Sequence, residues 1–399
     1  MAVLLLSTVW PAVAAEFTVP RVEIASRGWV DDGDFVLSSV LSADLALSGG
    51  YKFTFLLGFS LEAPDIGKAF ANRNFSFGHI DPAATVTGTE YNALADKLNN
   101  QAVVGFRIAK ATIRNLFNLP LEMSYFIGSD DDFCGGDEFS IRFGISPFGT
   151  EFRGFLYFPE GIGGNFVRRY YGIHGVRGTG FSFVLTKWEH VIPMLYLYQD
   201  FPSDFIDFTN MFGGNLYSGD LRLLFYHNWL RLEFFGGFSL NTSLDVSIRG
   251  GLMVHLAGRG VEFFFQGGIP SWKAGGKFSI DNLFFLIEPR LKLGVFNMYL
   301  TFFYHPVEYN HVISPDEKGR ADINIKFLFG NVDSGLAGGI ETGGELRIDG
   351  SEGFDFHISP LGTFISSGLR WDVKLRIKPL KYDTPKEMFD FFIGVRTGL

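Results

Sequence analysis

The feature that most constrains this chain is an alternation of apolar and polar residues sustained over unusually long runs. Residues 244–256 place Leu244, Val246, Ile248, Gly250, Leu252, Val254 and Leu256 on one parity. Asp245, Ser247, Arg249, Gly251, Met253 and His255 take the other. Successive side chains of a strand point to opposite faces, so such a run has one apolar and one wet face. In 365–378, Leu369, Trp371, Val373, Leu375 and Ile377 oppose Arg370, Asp372, Lys374, Arg376 and Lys378. In 283–295, Phe285, Ile287, Leu291 and Leu293 oppose Glu288, Arg290 and Lys292. Phe139, Ile141, Phe143 and Ile145 likewise oppose Glu138, Ser140, Arg142 and Ser146, which predicts a strand over 137–147. Soluble strands average ~5–6 residues, whereas a tilted strand crossing a bilayer needs ~9–11. The longest runs here exceed both.

The links between runs carry a second signal. The pattern gives about 20 candidate strands (range about 16–20), the sixth and seventh of them at 137–147 and 150–159. Links after even-numbered candidates are short, as at Ser48-Gly49-Gly50, His227-Asn228 and Gly258-Arg259. Links after odd-numbered candidates are mostly long, as at 63–100, 160–177, 201–217 and 305–320. An even count of antiparallel strands puts both chain ends on the rim of short turns.

Composition removes other classes. Aromatics make up 17% of the chain, far too many for a disordered one. A net charge of −9 gives no field to hold phosphates, so no nucleic-acid partner is expected. A single cysteine, Cys134, rules out a disulfide framework. Past the N-terminus no apolar run reaches the ~18 residues of a membrane-spanning helix. Residues 1–15 read as a signal peptide: 2–9 are mostly apolar, and Ala12-Val13-Ala14-Ala15 supplies small residues for cleavage. No basic stretch precedes the apolar run, so the true start is expected further upstream. Residues 16–399 then form a single domain.

The paired short turns and long links, and the chain end, resemble the bacterial outer-membrane β-barrel family, in particular its larger porin-like members. In that family the last strand alternates up to a C-terminal aromatic. Here Phe389, Phe391, Ile393, Val395 and Leu399 share one parity, with Phe392 on the other and Leu399 in place of the aromatic. The Asn-Pro-Ala segment of long-chain fatty acid transporters is absent. The resemblance implies a closed, all-β, antiparallel transmembrane barrel with short periplasmic turns and long extracellular loops. It further implies an outer-membrane location in a diderm bacterium, contact with outer-membrane lipids, and folding through the barrel-assembly machinery. Closure has a physical reason, since every backbone polar group in hydrocarbon must be paired internally.

If the apolar parity faces lipid, the other lines a lumen. That places Arg142, Arg153, Arg222, Arg231, Glu233, Asp245, Arg249, Glu288, Arg290, Arg370, Asp372 and Lys374 inside. These mixed charges fit a hydrated channel for small polar or amphipathic solutes, or a set of salt-bridge ladders that block the barrel. Arg222 and Arg231, joined by the His227-Asn228 corner, are expected at similar height as an anion-attracting pair. Residues 63–100 are expected either to fold inward as a constriction or to lie outside as a flap. Asp130, Asp131 and Asp132 read as a solvated acidic loop tip. No metal-binding or nucleophile motif stands out among the eight histidines and the lone cysteine, so no cofactor, metal or enzymatic activity is expected. Two other roles stay open: a surface-binding or adhesion protein using its long loops on a barrel anchor, and an exported soluble β-protein.

Overall fold

The computed structural model describes residues 15–31, 34–63, 103–146, 148–151, 172–200, 216–306, 319–331, 335–347 and 354–397. Most of the predicted signal peptide, all of the 63–100 connection after Ala63, Arg153 and Leu399 therefore lie outside the described residues. Eighteen strands form one sheet. They are β1 (Ala15–Asp31), β2 (Asp34–Gly49), β3 (Phe53–Ala63), β4 (Val103–Ile113), β5 (Leu121–Phe133) and β6 (His174–Leu185). Next come β7 (Val191–Asp200), β8 (Leu216–His227), β9 (Leu230–Asn241), β10 (Val246–Ala257), β11 (Val261–Lys273) and β12 (Phe284–Leu293). The last six are β13 (Phe296–His305), β14 (Arg320–Asn331), β15 (Leu336–Arg347), β16 (Asp355–Ser366), β17 (Leu369–Ile377) and β18 (Phe389–Thr397).

Every pairing is antiparallel and joins neighbours in sequence, from β1–β2 through β17–β18. The first strand also pairs with the last, Ile24 opposite Val395. Each strand thus has a hydrogen-bonded neighbour on both sides among the described residues. Links after even-numbered strands are short and those after odd-numbered strands mostly long, so the ring has a short-turn rim and a long-loop rim.

Among the described residues the count is 18 rather than about 20, and one of the two missing candidates has a definite reason. The segment predicted as a strand over 137–147 is a helix, α1 (Asp137–Phe143). Its alternation is real, but local helix signals outweigh it. Asp137 and Glu138 sit in the first turn and Arg142 in the last, complementing the helix dipole. Arg142 Nε donates to Glu138 Oε1 at 2.7 Å, an i,i+4 pair. Gly136 enters the helix at φ 82°, and a Cβ there would stand 2.2 Å from the Phe148 carbonyl oxygen, so only glycine fits. The other candidate, 150–159, falls almost wholly outside the described residues.

The side-chain parity of the strands is inverted relative to a soluble protein. On β8 the outward Leu221 is 55% exposed while its neighbour Arg222 is 0% exposed. On β10 Ile248 and Leu252 are exposed, while Arg249 and His255 on the other parity are buried. Phe234 and Phe238 of β9, Ile340 and Leu346 of β15, and Phe391 and Ile393 of β18 continue the exposed apolar band. Phe392, the parity exception at the chain end, is buried inside the ring. Contiguous exposed apolar surface of this kind marks a face that meets another apolar surface or a membrane.

Candidate functional site

The interior is built by two kinds of residue: charged side chains on the buried parity of the strands, and a segment that leaves β5 and folds into the ring. This segment, 134–151, is tied to the wall at both ends. At its start the Cys134 N–H donates to Glu233 Oε1 of β9 at 2.8 Å, and Gln266 of β11 donates to the Cys134 carbonyl. At its end Glu288 of β12 accepts from Thr150 Oγ1 at 2.6 Å and from the Glu151 N–H at 2.9 Å. Arg290 donates to the Gly149 carbonyl, and Lys326 Nζ of β14 donates to Glu151 at 2.5 Å. The segment therefore spans from the β9–β11 wall to the β12–β14 wall. Its anchor residues Glu233, Gln266, Glu288 and Lys326 lie three to five residues in from the short-turn ends of their strands.

Between the anchors the segment packs by aromatic contact. Phe139 of α1 is buried against Phe143 and Phe148, with ring centroids at 5.7 and 5.2 Å. Phe143 meets Tyr226 of β8 at 5.2 Å, and Phe148 stacks on His255 of β10 at 4.9 Å. Phe133, Phe235, Met253, Phe264 and Leu286 complete the same buried cluster. Burial of such a cluster fixes the segment more firmly than its hydrogen bonds alone.

Electrostatics along the segment follow from this seating. Burial pushes the Glu138 carboxyl above its ordinary range, and the neighbouring Asp131 charge adds to the push. Burial also pushes Glu151 up, but Lys326 and Arg290 outweigh it and hold the carboxyl below its ordinary value of 4.5. Burial, with the Glu233 charge beside it, raises the Cys134 thiol well above its ordinary value. Burial opposes the Arg142 charge, but Glu138 and Glu122 more than compensate.

Most of the residues expected inside are on the buried parity, and most of them are paired. Arg222 Nε donates to Glu233 at 2.9 Å, and the same guanidinium reaches Asp131. Arg249 grips Asp220 of β8 with two bonds, at 2.7 and 2.8 Å, and Tyr198 of β7 donates to the same carboxylate at 2.8 Å. Arg290 Nε donates to Glu288 at 2.9 Å. Arg370 Nε meets Thr363 and Asp372, and Lys374 Nζ bonds Glu341 of β15 at 2.5 Å. Arg142 is carried by α1 rather than by a wall strand, where it bonds Glu122 of β5 at 2.7 Å. Asp245 lies in the exposed link between β9 and β10, 3.8 Å from Lys273.

Two expectations need correction. Arg222 and Arg231 are not level, because the tight turn pairs Tyr226 with Arg231 and Arg222 with Phe235. Four residues of strand separate their heights, on the order of 13 Å. The acidic run 130–132 is not a loop tip either. A register shift between Ser129 and Asp131 lets β5 continue to Phe133. Asp131 then accepts from Tyr196 at 2.5 Å, and Asp130 pairs with Lys110 at 2.7 Å. The inward segment itself was not foreseen. Its signal was Gly136 and Gly144 bracketing an acid-first, base-last heptapeptide.

No family model matches the chain, and no curated protein matches it significantly. Solved structures do. OccAB4 of Acinetobacter baumannii is similar with a TM-score of 0.50 and 9% identity, covering 96% of this chain and 97% of its own. The outer membrane protein opdK of Pseudomonas aeruginosa gives 0.48 at 9% identity, over 96% and 98%. A mutant of the Rh. blastica porin gives 0.46 at 9% identity, over 96% and 99%. Together with the strand pairing, the likeness to OccAB4 shows the fold alone: a porin-like β-barrel.

Proposed function

We propose that this chain is a channel of the outer membrane of a Gram-negative bacterium, exported by its N-terminal segment, which lets small polar or amphipathic solutes cross passively. The observation that carries the reading is the inverted parity, with an exposed apolar band outside a wholly paired ring and buried charge inside it. In hydrocarbon a ring of strands paired on both sides satisfies its backbone internally, and its polar interior suits a hydrated path. The barrel is taken as closed and lipid-embedded, with the short-turn rim periplasmic. The segment 134–151 acts as the constriction, because it crosses the interior at the level of its wall anchors. The charged side chains beside it give the path a transverse field that discriminates among solutes by charge. The reading assigns the chain no catalytic residue and no cofactor.

The test is electrical. Refolded full-length protein, inserted in planar bilayers, should give discrete current steps with a fixed unit conductance. Protein that floats with liposomes and is folded by circular dichroism, yet passes no current, would overturn the channel reading in favour of a barrel anchor for surface binding.

A further inference from the structure

The described histidines fall into two kinds. His174, His255, His305 and His357 each stand 3.4–3.8 Å from a carboxylate. His190 and His227 have no carboxylate within 4 Å among the described residues, and their rings meet each other instead, with centroids 6.2 Å apart at 62°. His190 closes the β6–β7 link and His227 ends β8. The Tyr226 N–H donates to the His190 carbonyl at 2.9 Å, so the β7–β8 ladder fixes both backbones. Both residues are exposed on the short-turn rim.

Two imidazoles so placed can chelate a transition metal. Imidazole nitrogen is a favoured ligand of divalent copper, nickel and zinc. A metal held by two imidazoles at a bond length of about 2.0–2.1 Å keeps the ring centres about 5–6 Å apart, close to the separation found here. The remaining closure is a side-chain rotation at an exposed rim, with no buried contact to break. Lys187 and Glu189 on the same link are both exposed, and their charges offset, so no local field repels a dication. Among the described residues no three metal-ligating side chains converge, so the chain supplies two ligands and leaves the other positions to water or to a solute. Trp229 lies beside the pair, its ring 6.0 Å from that of His227, and serves as a reporter.

We propose that His190 and His227 form an open two-histidine site for a divalent transition-metal ion on the short-turn rim, with Cu²⁺ held more tightly than Ni²⁺ or Zn²⁺. The site stands apart from the channel reading, because the pair lies on the rim and needs no conducting path. The experiment adds cupric chloride to the refolded full chain in detergent at neutral pH. Electron paramagnetic resonance should show the tightest-bound Cu²⁺ coordinated by two imidazole nitrogens, and tryptophan fluorescence should fall as that site fills. The second imidazole acts at high effective concentration, so His190→Gln and His227→Gln should each weaken this binding about a hundredfold. Neither residue has an ion-pair partner to strand, so both variants should fold. His79→Gln and His311→Gln should bind as wild type does. Excess Mg²⁺, which takes oxygen ligands, should not displace the copper. Wild-type affinity in either rim variant, a spectrum of one nitrogen, equal loss in His79→Gln or His311→Gln, or displacement by Mg²⁺ would each overturn the site.

Discussion

Glu233 of β9 holds the backbone of Cys134 at 2.8 Å, although 99 residues separate the two in sequence. The same carboxylate oxygen accepts from Arg222 at 2.9 Å. One buried acid therefore shares with Asp131 the charge of a wall arginine and fixes the point where the inserted segment departs from the wall. Glu288 repeats the arrangement at the other end, holding Arg290, the Thr150 hydroxyl and the Glu151 N–H together. Wall ion pairs and the seat of the inserted segment are one construction.

The only thiol reports on that seating. Cys134 is fully buried, and its environment keeps it protonated. Thiolate is the reactive form, so maleimide labelling of the folded protein should be slow and complete only after unfolding. Glu233→Gln removes one of the two carboxylates that neutralise buried Arg222, leaving Asp131, and weakens the bond to the Cys134 N–H. Its labelling should be faster than wild type by at least an order of magnitude. A rate equal to wild type in folded Glu233→Gln protein would mean the segment is held by its aromatic packing alone.

The two faces of β10 should tolerate charge differently. Leu252 is on the outward parity, and an arginine there near the bilayer midplane should cost about 2–4 kcal/mol of assembly. Ser247, on the inward parity near the long-loop rim, should accept arginine with normal yield. Heat-modifiable mobility of the two variants on gels measures the difference. Equal damage at both positions would contradict the orientation of the sheet.

Much of this architecture is legible in the sequence because a barrel wall is a local object. Parity along β10 or β17 needs only the strand itself, and the short turns are readable from pairs such as His227-Asn228. The interior is not local. Asp131 meets Arg222 across 91 residues and Glu151 meets Lys326 across 175, and nothing in either neighbourhood announces the partner. The helix α1 misled for a different reason. Phe139, Ile141 and Phe143 alternate as a strand would, but only Phe139 is fully buried while Ile141 is 70% exposed. The difference in height between Arg222 and Arg231 was in fact available, since a tight turn at 228–229 fixes their register.

Shortening the inserted segment should widen the path. Replacing residues 137–148 with a few Gly and Ser residues removes α1 and Phe148 but leaves Thr150 and Glu151 on Glu288. The wall strands keep every ladder, so the barrel should fold. Unit conductance in planar bilayers should rise above wild type, and large solutes should enter liposomes faster in a swelling assay. Conductance equal to wild type in the shortened, folded protein would place the narrowest point elsewhere.

The Glu151–Lys326 contact should make the far anchor acid-sensitive, with a sign set by the direction of the shift. The Glu151 carboxyl is held below 4.5, so folding favours its charged form. Its contribution to seating is then fully present above the ordinary carboxylate range and is lost as pH falls through the lowered folded value. Current noise from the segment should stay constant from neutral pH down to about 4.5 and grow below it. Glu151→Gln should show the raised noise at every pH and no further change on acidification. The Thr150 and backbone bonds to Glu288 persist in that variant, so the segment should loosen rather than leave. A wild-type noise profile that rises already between pH 7 and 5, with Glu151→Gln following it, would assign the acid response to a different group.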